Sequence, residues 1–128
     1  MLLRLSPLPL SFSARVVKGA GRGRTIGSPT LNLRLRDVPT TLPEGIFACR
    51  AQWSRQDAPA ALHFGPRPVF KADRACELHI IDRTIARPPR TVTVTVIARL
   101  RAVRNFRTVE LLKRQIVKDI KQVKRILK

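Results

Sequence analysis

The sequence predicts a mainly β protein in which a closed or strongly curled antiparallel sheet is followed by one C-terminal helix. Three observations lead to this prediction. Several short apolar runs are separated by turn residues, one run alternates strictly between apolar and polar side chains, and helical periodicity is confined to the C-terminal end. Short strands followed by a single helix are typical of barrels and curled sheets.

The first half of the chain contains two strand candidates. Residues 12–18 alternate weakly and end at a glycine, which predicts a short strand that leads into a glycine-rich loop. Residues 33–44 contain two prolines and are predicted to form a polar connection. Gly45–Trp53 is predicted as the second strand, and a turn-like stretch over residues 54–59 ends it.

The second half adds three strand candidates. Residues 60–64 and residues 76–82 are short apolar runs, and a basic loop precedes the second of them. After an Arg-Pro-Pro-Arg turn at residues 87–90, residues 91–97 place three valines on one side and three threonines on the other. This last segment is therefore predicted to be a half-buried strand with its valines in the core.

A C-terminal helix is predicted over residues 108–127. Thr108 is a favourable N-cap residue, and Glu110 in the first turn complements the positive end of the helix dipole. An apolar stripe able to pack on the sheet consists of Leu112, Ile116, Ile120, Val123 and Leu127. We interpret the remaining basic face as solvated charge, with contact to nucleic acid as the alternative. Its lysines are Lys113, Lys118, Lys121 and Lys124.

The net charge is the most unusual bulk property of the chain. Lys and Arg total 26 against 8 acidic residues, which gives a formal net charge of +18. Such a surplus attracts polyanions, so nucleic acid, an anionic membrane surface or a small anionic substrate would each fit. Aromatic residues are scarce, with five Phe, one Trp and no Tyr, which argues against a stacking platform for single-stranded nucleic acid.

The length of 128 residues suits one domain over residues 1–128, with residues 1–11 as an N-terminal extension. The apolar start of the chain is broken by Arg and Pro, so we do not interpret it as a signal peptide. No run reaches the length of a membrane span, and a membrane is not expected as a partner. We expect a cytoplasmic protein in which Cys49 and Cys76 are buried free thiols.

The stretch over residues 19–32 predicts a phosphate-binding loop beside a cation site. Glycines let backbone N–H groups approach an anion closely, and arginines add positive charge. The candidates for this cradle are Gly19, Gly21, Arg22, Gly23 and Arg24. Pro29 restrains the chain so that Thr30 and Asn32 can point the same way in an extended segment, and their oxygens suit Mg²⁺. Neither the P-loop pattern nor the dinucleotide fingerprint fits.

Five segments, in this order, resemble the riboflavin kinase family: VVKGAGRGRTIGSPTLN, LPEGIFA, FGPRPVF, CELHIID and LRAVRNF. The resemblance covers about residues 12–127 and implies a six-stranded antiparallel Greek-key β-barrel with a C-terminal α-helix. It also implies a monofunctional, monomeric kinase that phosphorylates the 5′-hydroxyl of riboflavin to give FMN. ATP would be the co-substrate, ADP the second product, and Mg²⁺ or another divalent cation the cofactor. FAD synthesis is not expected, because the sequence contains no adenylyltransferase module.

The resemblance assigns roles around the reacting phosphate. Glu77 matches the general base that takes the proton from the riboflavin hydroxyl. Thr30 and Asn32 match the contacts to magnesium and nucleotide phosphate. Gly19 and the turn over residues 21–24 would hold ATP through backbone amides and charge.

The resemblance also assigns the outer parts of the two substrates. Ile80 and Asp82 fall where the adenosine part of the nucleotide is bound. Arg101 and Arg104 fall on the flavin side of the site. His79 shares a strand face with Glu77, and we interpret it as structural or as a support for a neighbouring ligand.

Two segments depart from the family pattern. Residues 83–90 lack the acidic residues and the Leu-Tyr-Gly turn that are usual near the nucleotide, and Ala102 and Val103 replace the Pro-Glu pair usual after Leu-Arg. The altered segment over residues 83–90 supports one alternative, a flavin-binding relative with poor catalysis. The net charge supports a second alternative, a basic barrel that binds nucleic acid. The kinase interpretation is favoured over both.

Overall fold

The structure, a computed structural model, describes residues 8–18, 29–66 and 74–128. Its strands are β1 (Leu10–Val17), β2 (Thr30–Leu33), β3 (Gly45–Trp53), β4 (Gln56–Pro66), β5 (Arg74–Ile80) and β6 (Thr91–Arg101). A 3-10 turn at Leu35–Asp37 follows β2, and the helix α1 spans Val109–Ile126.

The six strands close into a barrel of order β1-β2-β5-β4-β3-β6, and every neighbouring pair is antiparallel. The consecutive strands β3, β4 and β5 are neighbours, and β6 returns to lie beside β3, which is a Greek-key arrangement. The predicted fold class is therefore confirmed, including the strand count that only the family resemblance implied.

The strand predictions missed β2, because Leu33 was assigned to the polar connection and residues 30–32 only to an extended segment, and they also misplaced the start of β4. We predicted a turn over residues 54–59, but only Ser54 and Arg55 lie between the strands, and β4 begins at Gln56. Both turn residues have positive φ, at 41° and 65°, as in a two-residue hairpin turn whose twist matches its strands. Such turns usually carry Asn-Gly or Asp-Gly, so this sequence gave little signal for so tight a connection.

Smaller differences occur at the ends of three other strands. β1 begins at Leu10, inside the predicted N-terminal extension, because Leu10 and Ser11 pair with β6. β5 starts and ends two residues earlier than predicted, and β6 runs on to Arg101 rather than ending at residue 97. The extra length of β6 is paired with β3 across register shifts, which a strict alternation rule does not anticipate.

Apolar side chains fill the inside of the barrel. The three valines of β6 are buried, as their alternation predicted, and the threonines between them lie outside. Fully burying such an apolar side chain stabilises the fold by roughly 1.5–3 kcal/mol. The largest fully buried side chains of the barrel interior are Phe47, Leu62, Leu78, Ile80, Val92, Val94 and Val96.

The two cysteines are buried and free, as predicted. Burial, together with the nearby charge of Glu77, raises the pKa of the Cys76 thiol to about 12. Burial likewise raises the pKa of Cys49 far above its ordinary value. Thiols with such pKa values stay protonated at neutral pH, so both side chains serve packing rather than nucleophilic chemistry.

The helix α1 packs on the outside of the barrel. Its N-cap is Thr108, as predicted, because the Thr108 hydroxyl accepts a 3.2 Å hydrogen bond from the backbone N–H three residues on. Val123, from the predicted apolar stripe, is fully buried against Ala48 of β3 and Ala61 of β4. The two small side chains allow the helix to approach the sheet closely. In the described parts of the chain, no helix is both long and apolar enough to cross a membrane.

Candidate active site

Polar side chains of β2 and β5 form one cluster on the outside of the barrel. Thr30 lies directly opposite His79, and Asn32 lies directly opposite Glu77. On each strand the residue between them is a leucine buried in the core, so alternation places all four polar side chains on the outer face. Directly opposed residues have Cβ atoms about 4.5–5.5 Å apart. The structure thus brings Glu77 beside Thr30 and Asn32, from which it is far removed in the sequence.

His79 is hydrogen-bonded to Thr30. Its Nδ1 atom lies 3.0 Å from the Thr30 hydroxyl oxygen. The pKa of His79 is lowered to about 4, chiefly by burial and also by the nearby His63, while the carboxylate of Asp119 acts in the opposite direction. The imidazole is therefore neutral at neutral pH and has one acceptor nitrogen. When that acceptor is Nδ1, the Thr30 hydroxyl donates to it and turns its oxygen lone pairs away from His79.

Glu77 belongs to a row of side chains that runs across the outer face. His63 of β4 is directly opposite Glu77, and Ile46 of β3 is directly opposite His63. Arg101 of β6 is in turn opposite Ile46, so it stands three strands from Glu77 on the same row. Glu77 is half-buried, whereas His63 is buried. Sequence analysis missed His63, although its outward position between two core residues of β4 was a usable signal.

The arginines predicted on the flavin side are held by the helix. Arg101 donates to both carboxylate oxygens of Asp119, with Nε at 3.0 Å and Nη2 at 2.8 Å. Gln115 also donates to Asp119, at 3.0 Å, and accepts from Arg104 at 3.2 Å. The guanidinium carbons of both arginines lie within 6 Å of the Phe106 ring centroid, at 5.9 and 5.3 Å. This network fixes the orientation of Arg101 and leaves Arg104 exposed.

A cleft opens beside the β2–β5 cluster, where the chain leaves β5. Its volume is about 650 Å³, and its lining residues are Pro29, Ile80, Ile81, Asp82, Arg83, Thr84 and Ile120. Ile80 and Asp82, the predicted nucleotide contacts, therefore line the same cleft, next to the proline that precedes Thr30. Ile80 also donates a 3.0 Å backbone hydrogen bond to Pro29, which ties the end of β5 to the start of the Pro-Thr-x-Asn segment.

The carboxylate of Asp82 stands at the rim of this cleft. Asp82 has a φ of 59°, in the left-handed region that Asp and Asn adopt more readily than most residues. It is exposed and forms a 3.1 Å ion pair with Lys124 of α1. The helix and the chain after β5 thus meet at the cleft.

The predicted phosphate cradle lies outside the described residues. Gly19, Gly21, Arg22, Gly23 and Arg24 all fall within residues 19–28. The described chain resumes at Pro29, immediately before Thr30 and Asn32. The cradle therefore remains a prediction from the sequence, although its C-terminal neighbours lie in the polar cluster.

The described residues contain no group of three or more His, Cys, Asp or Glu side chains that could hold a metal ion by themselves. The cluster instead offers the hydroxyl of Thr30, the amide oxygen of Asn32 and the nearby carboxylate of Glu77. Oxygen donors of this kind suit Mg²⁺, which commonly completes its coordination with water and substrate phosphate. The donor set therefore fits a cation that arrives with a nucleotide.

Comparison with known proteins agrees with the family resemblance found in the sequence. The sequence profile of the Flavokinase (riboflavin kinase) family matches residues 6–127. The bifunctional riboflavin kinase/FMN adenylyltransferase of Escherichia coli strain K12 is 31% identical over 113 residues, covering 87% of this chain and 36% of the relative. The protein of the same name from Pseudomonas fluorescens is 31% identical over 121 residues, covering 91% of this chain and 38% of the relative.

A third bacterial relative and a solved structure are also similar to this chain. The bifunctional protein of Bacillus subtilis strain 168 is 28% identical over 115 residues, covering 87% of this chain and 36% of the relative. A crystal structure from Streptococcus pneumoniae, described as a macrolide-efflux protein, matches with a TM-score of 0.78 and 31% identity over 91% of this chain and 38% of that chain. The chain spans little more than a third of the length of these relatives.

Proposed function

Because the chain belongs to the riboflavin kinase family, we propose that it transfers the γ-phosphoryl group of ATP to the 5′-hydroxyl of riboflavin, with FMN and ADP as products. One observation carries the proposal beyond family membership. Glu77, the candidate base, lies directly across from Asn32 on the outer face, and Thr30 is the next outward side chain of the same strand. The proposed base and the proposed oxygen donors of a magnesium–phosphate site thus lie on neighbouring strands, on the same face of the sheet.

Phosphoryl transfer depends mainly on positioning and on neutralising the charge of the transferred group. We assign the binding of magnesium and nucleotide phosphate to Thr30 and Asn32, with the loop over residues 19–24 contributing backbone N–H groups and arginine charge. A bound magnesium ion would supply the charge neutralisation. The polypeptide supplies the positions, because the paired strands β2 and β5 hold the donors on a rigid sheet.

Glu77 is proposed as the general base. A carboxylate within hydrogen-bond reach of the riboflavin hydroxyl accepts its proton as the oxygen attacks phosphorus, a contribution of roughly 10²–10⁴ in rate. The half-buried position of Glu77 supports this role, because the side chain reaches the surface while its backbone is fixed in the sheet.

The remaining assignments concern the adenosine part of ATP and the flavin. We place the adenosine part of ATP in the cleft at Ile80 and Asp82, which lies beside Pro29. We place the flavin on the side of Arg101 and Arg104, where the Asp119 carboxylate occupies two donors of Arg101 and the exposed Arg104 keeps its charge towards solvent. The proposed enzyme acts as a monomer in the cytoplasm.

The test is FMN formation by the purified chain from riboflavin, ATP and MgCl₂, followed by chromatography with flavin fluorescence. The proposal predicts that FMN and ADP form in equal molar amounts, and that no FMN forms when ATP or the divalent cation is omitted. Riboflavin binding without ATP consumption by a folded protein, tested also with other nucleotides and with Mn²⁺ and Zn²⁺, would instead establish the flavin-binding alternative.

A further inference from the structure

Few acidic side chains are available to neutralise the positive charge of this chain. Five of them already hold one arginine or lysine each in an ion pair: Asp37, Glu44, Asp57, Asp82 and Asp119. Since the sequence has 26 basic and only 8 acidic residues, most of the cations have no acidic partner to pair with. The location of these cations on the surface therefore indicates where a polyanion would bind.

The helix α1 carries an ordered set of such cations, which we call the basic stripe: Arg114, Lys118, Lys121 and Arg125. Their spacing of four, three and four residues places all of them on one face of the helix. All four are exposed, and none takes part in an ion pair with a residue that the structure describes. The opposite face of the helix, with Val123, is buried against the barrel, so the stripe points away from the protein.

The stripe is unfavourable for the isolated chain. Like charges three or four residues apart on a helix repel and destabilise it, and the stripe contains three such contacts in succession. A stabilising arrangement would have placed acidic residues between them, but the only acidic residue on the outward side of α1 is Glu110 in its first turn. A bound polyanion would turn this repulsion into attraction.

We propose that the basic stripe binds the phosphate backbone of double-stranded nucleic acid, independently of base sequence. The first and last cations of the stripe are 11 residues apart, or about 17 Å at 1.5 Å per residue. Counting both strands, duplex DNA carries one phosphate charge for about every 1.7 Å of its axis, so a segment of this length carries about ten, and those on the near side can meet the stripe. The two charge arrays are opposite in sign, and the stripe is long enough to contact several phosphates.

Two other polyanions fit the described surface less well. Single-stranded nucleic acid is usually bound with exposed aromatic rings on which its bases stack, and the exposed large hydrophobic residues described here include no aromatic residue. An anionic membrane is usually bound by a helix that inserts a continuous apolar face into the lipid. The apolar face of α1 around Val123 is covered by the barrel, and the exposed large apolar side chains of the helix, Leu111, Val117 and Ile126, stand six and nine residues apart. The duplex backbone needs neither feature.

The test is fluorescence anisotropy of a labelled 20-base-pair DNA duplex and of an RNA duplex of equivalent sequence, each titrated with the full chain over a series of salt concentrations. Four phosphate contacts predict that the logarithm of the association constant for DNA falls with the logarithm of the salt concentration with a slope of about −3.6 or steeper. Binding would then be about 150-fold weaker at 200 mM than at 50 mM salt. Comparison of the DNA and RNA arms identifies which duplex is preferred.

The variant that tests the stripe replaces its four cations with glutamine: Arg114→Gln, Lys118→Gln, Lys121→Gln and Arg125→Gln. The slope should become shallower by about 3.6. The matched control removes the same charge from exposed positions off the helix: Arg36→Gln, Arg55→Gln, Arg87→Gln and Arg90→Gln. The control should keep most of the affinity and slope, and circular dichroism should show both variants folded.

Three results would overturn the proposal. They are no duplex binding by the wild type at 50 mM salt, equal losses in the stripe variant and its control, and binding of phosphatidylserine vesicles that depends on the stripe while duplex binding does not. If the fourfold stripe variant fails to fold, Lys118→Gln with Lys121→Gln replaces it, and the slope should then change by about 1.8. An unchanged slope in that folded variant contradicts the proposal equally.

Discussion

The polar cluster shows what local sequence patterns can and cannot predict. Its members are Thr30, Asn32, Glu77 and His79. Alternation in an extended segment predicts that Thr30 and Asn32 share a face, and the same rule joins Glu77 to His79. Nothing local predicts that these two faces meet, because β2 and β5 are distant in sequence and become neighbours only in the closed barrel. Before the structure, only the family resemblance connected them.

The contact between His79 and Thr30 leads to a prediction about the cation site. His79→Ala removes one hydrogen bond of the Thr30 hydroxyl, and the loss of such a bond costs about 0.5–1.5 kcal/mol, or roughly 2- to 12-fold in affinity. We expect that loss in the binding of ATP with Mg²⁺, measured by calorimetry, and little change in the binding of ATP without a divalent cation.

His79→Asn is the matching control, because its side-chain amide can still accept a hydrogen bond near the position of Nδ1 and should recover much of the magnesium-dependent affinity. Equal losses with and without magnesium would show that His79 acts through general packing. The same magnesium-dependent affinity in His79→Ala as in the wild type would show that Thr30 does not depend on it.

The sequence predicted the position of helix α1 well, but it did not predict the ion pair that attaches the helix to the barrel. Its N-cap, length and apolar stripe were all evident. The ion pair that fastens it to β6 was not identified, although Asp119 falls on the apolar face beside Ile116, Ile120 and Val123. An acidic residue within an apolar stripe is a signal that it has a buried partner. The partner itself, Arg101, could not be identified without knowing where the helix packs.

The Asp119–Arg101 pair should contribute strongly to stability. The two side chains are only 6% and 19% exposed, so Asp119→Ala leaves a largely buried guanidinium without its counterion, at a cost of about 3–5 kcal/mol. We expect this decrease in the free energy of unfolding from urea denaturation. Asp57→Ala breaks the exposed pair with Arg50, whose side chains are 45% and 41% exposed, and should cost no more than about 1 kcal/mol. Similar losses in the two variants would contradict a structural role for the buried pair.

At the scale of the whole molecule, the sequence predicted a mainly β barrel with one helix, and the family resemblance supplied six strands and a Greek key. Local patterns could not supply the strand order, which depends on pairing between distant segments. The tight turn at Ser54 and Arg55 was missed for a related reason, since paired strands hold two residues at positive φ that neither residue prefers. Closing the barrel thus creates both the neighbouring faces of the candidate site and the platform that holds α1.

We propose that the outer face of β2 and β5 is a phosphoryl-transfer site with Glu77 as its base. The most direct measurement compares initial rates of FMN formation by the wild type, Glu77→Gln and Glu110→Gln under saturating riboflavin and ATP with Mg²⁺. Glu110 is an exposed acid on the helix and serves as the control for loss of one negative charge. We predict that Glu77→Gln folds normally and loses about 10²–10⁴ in rate, while Glu110→Gln matches the wild type. Wild-type turnover by Glu77→Gln would contradict the account.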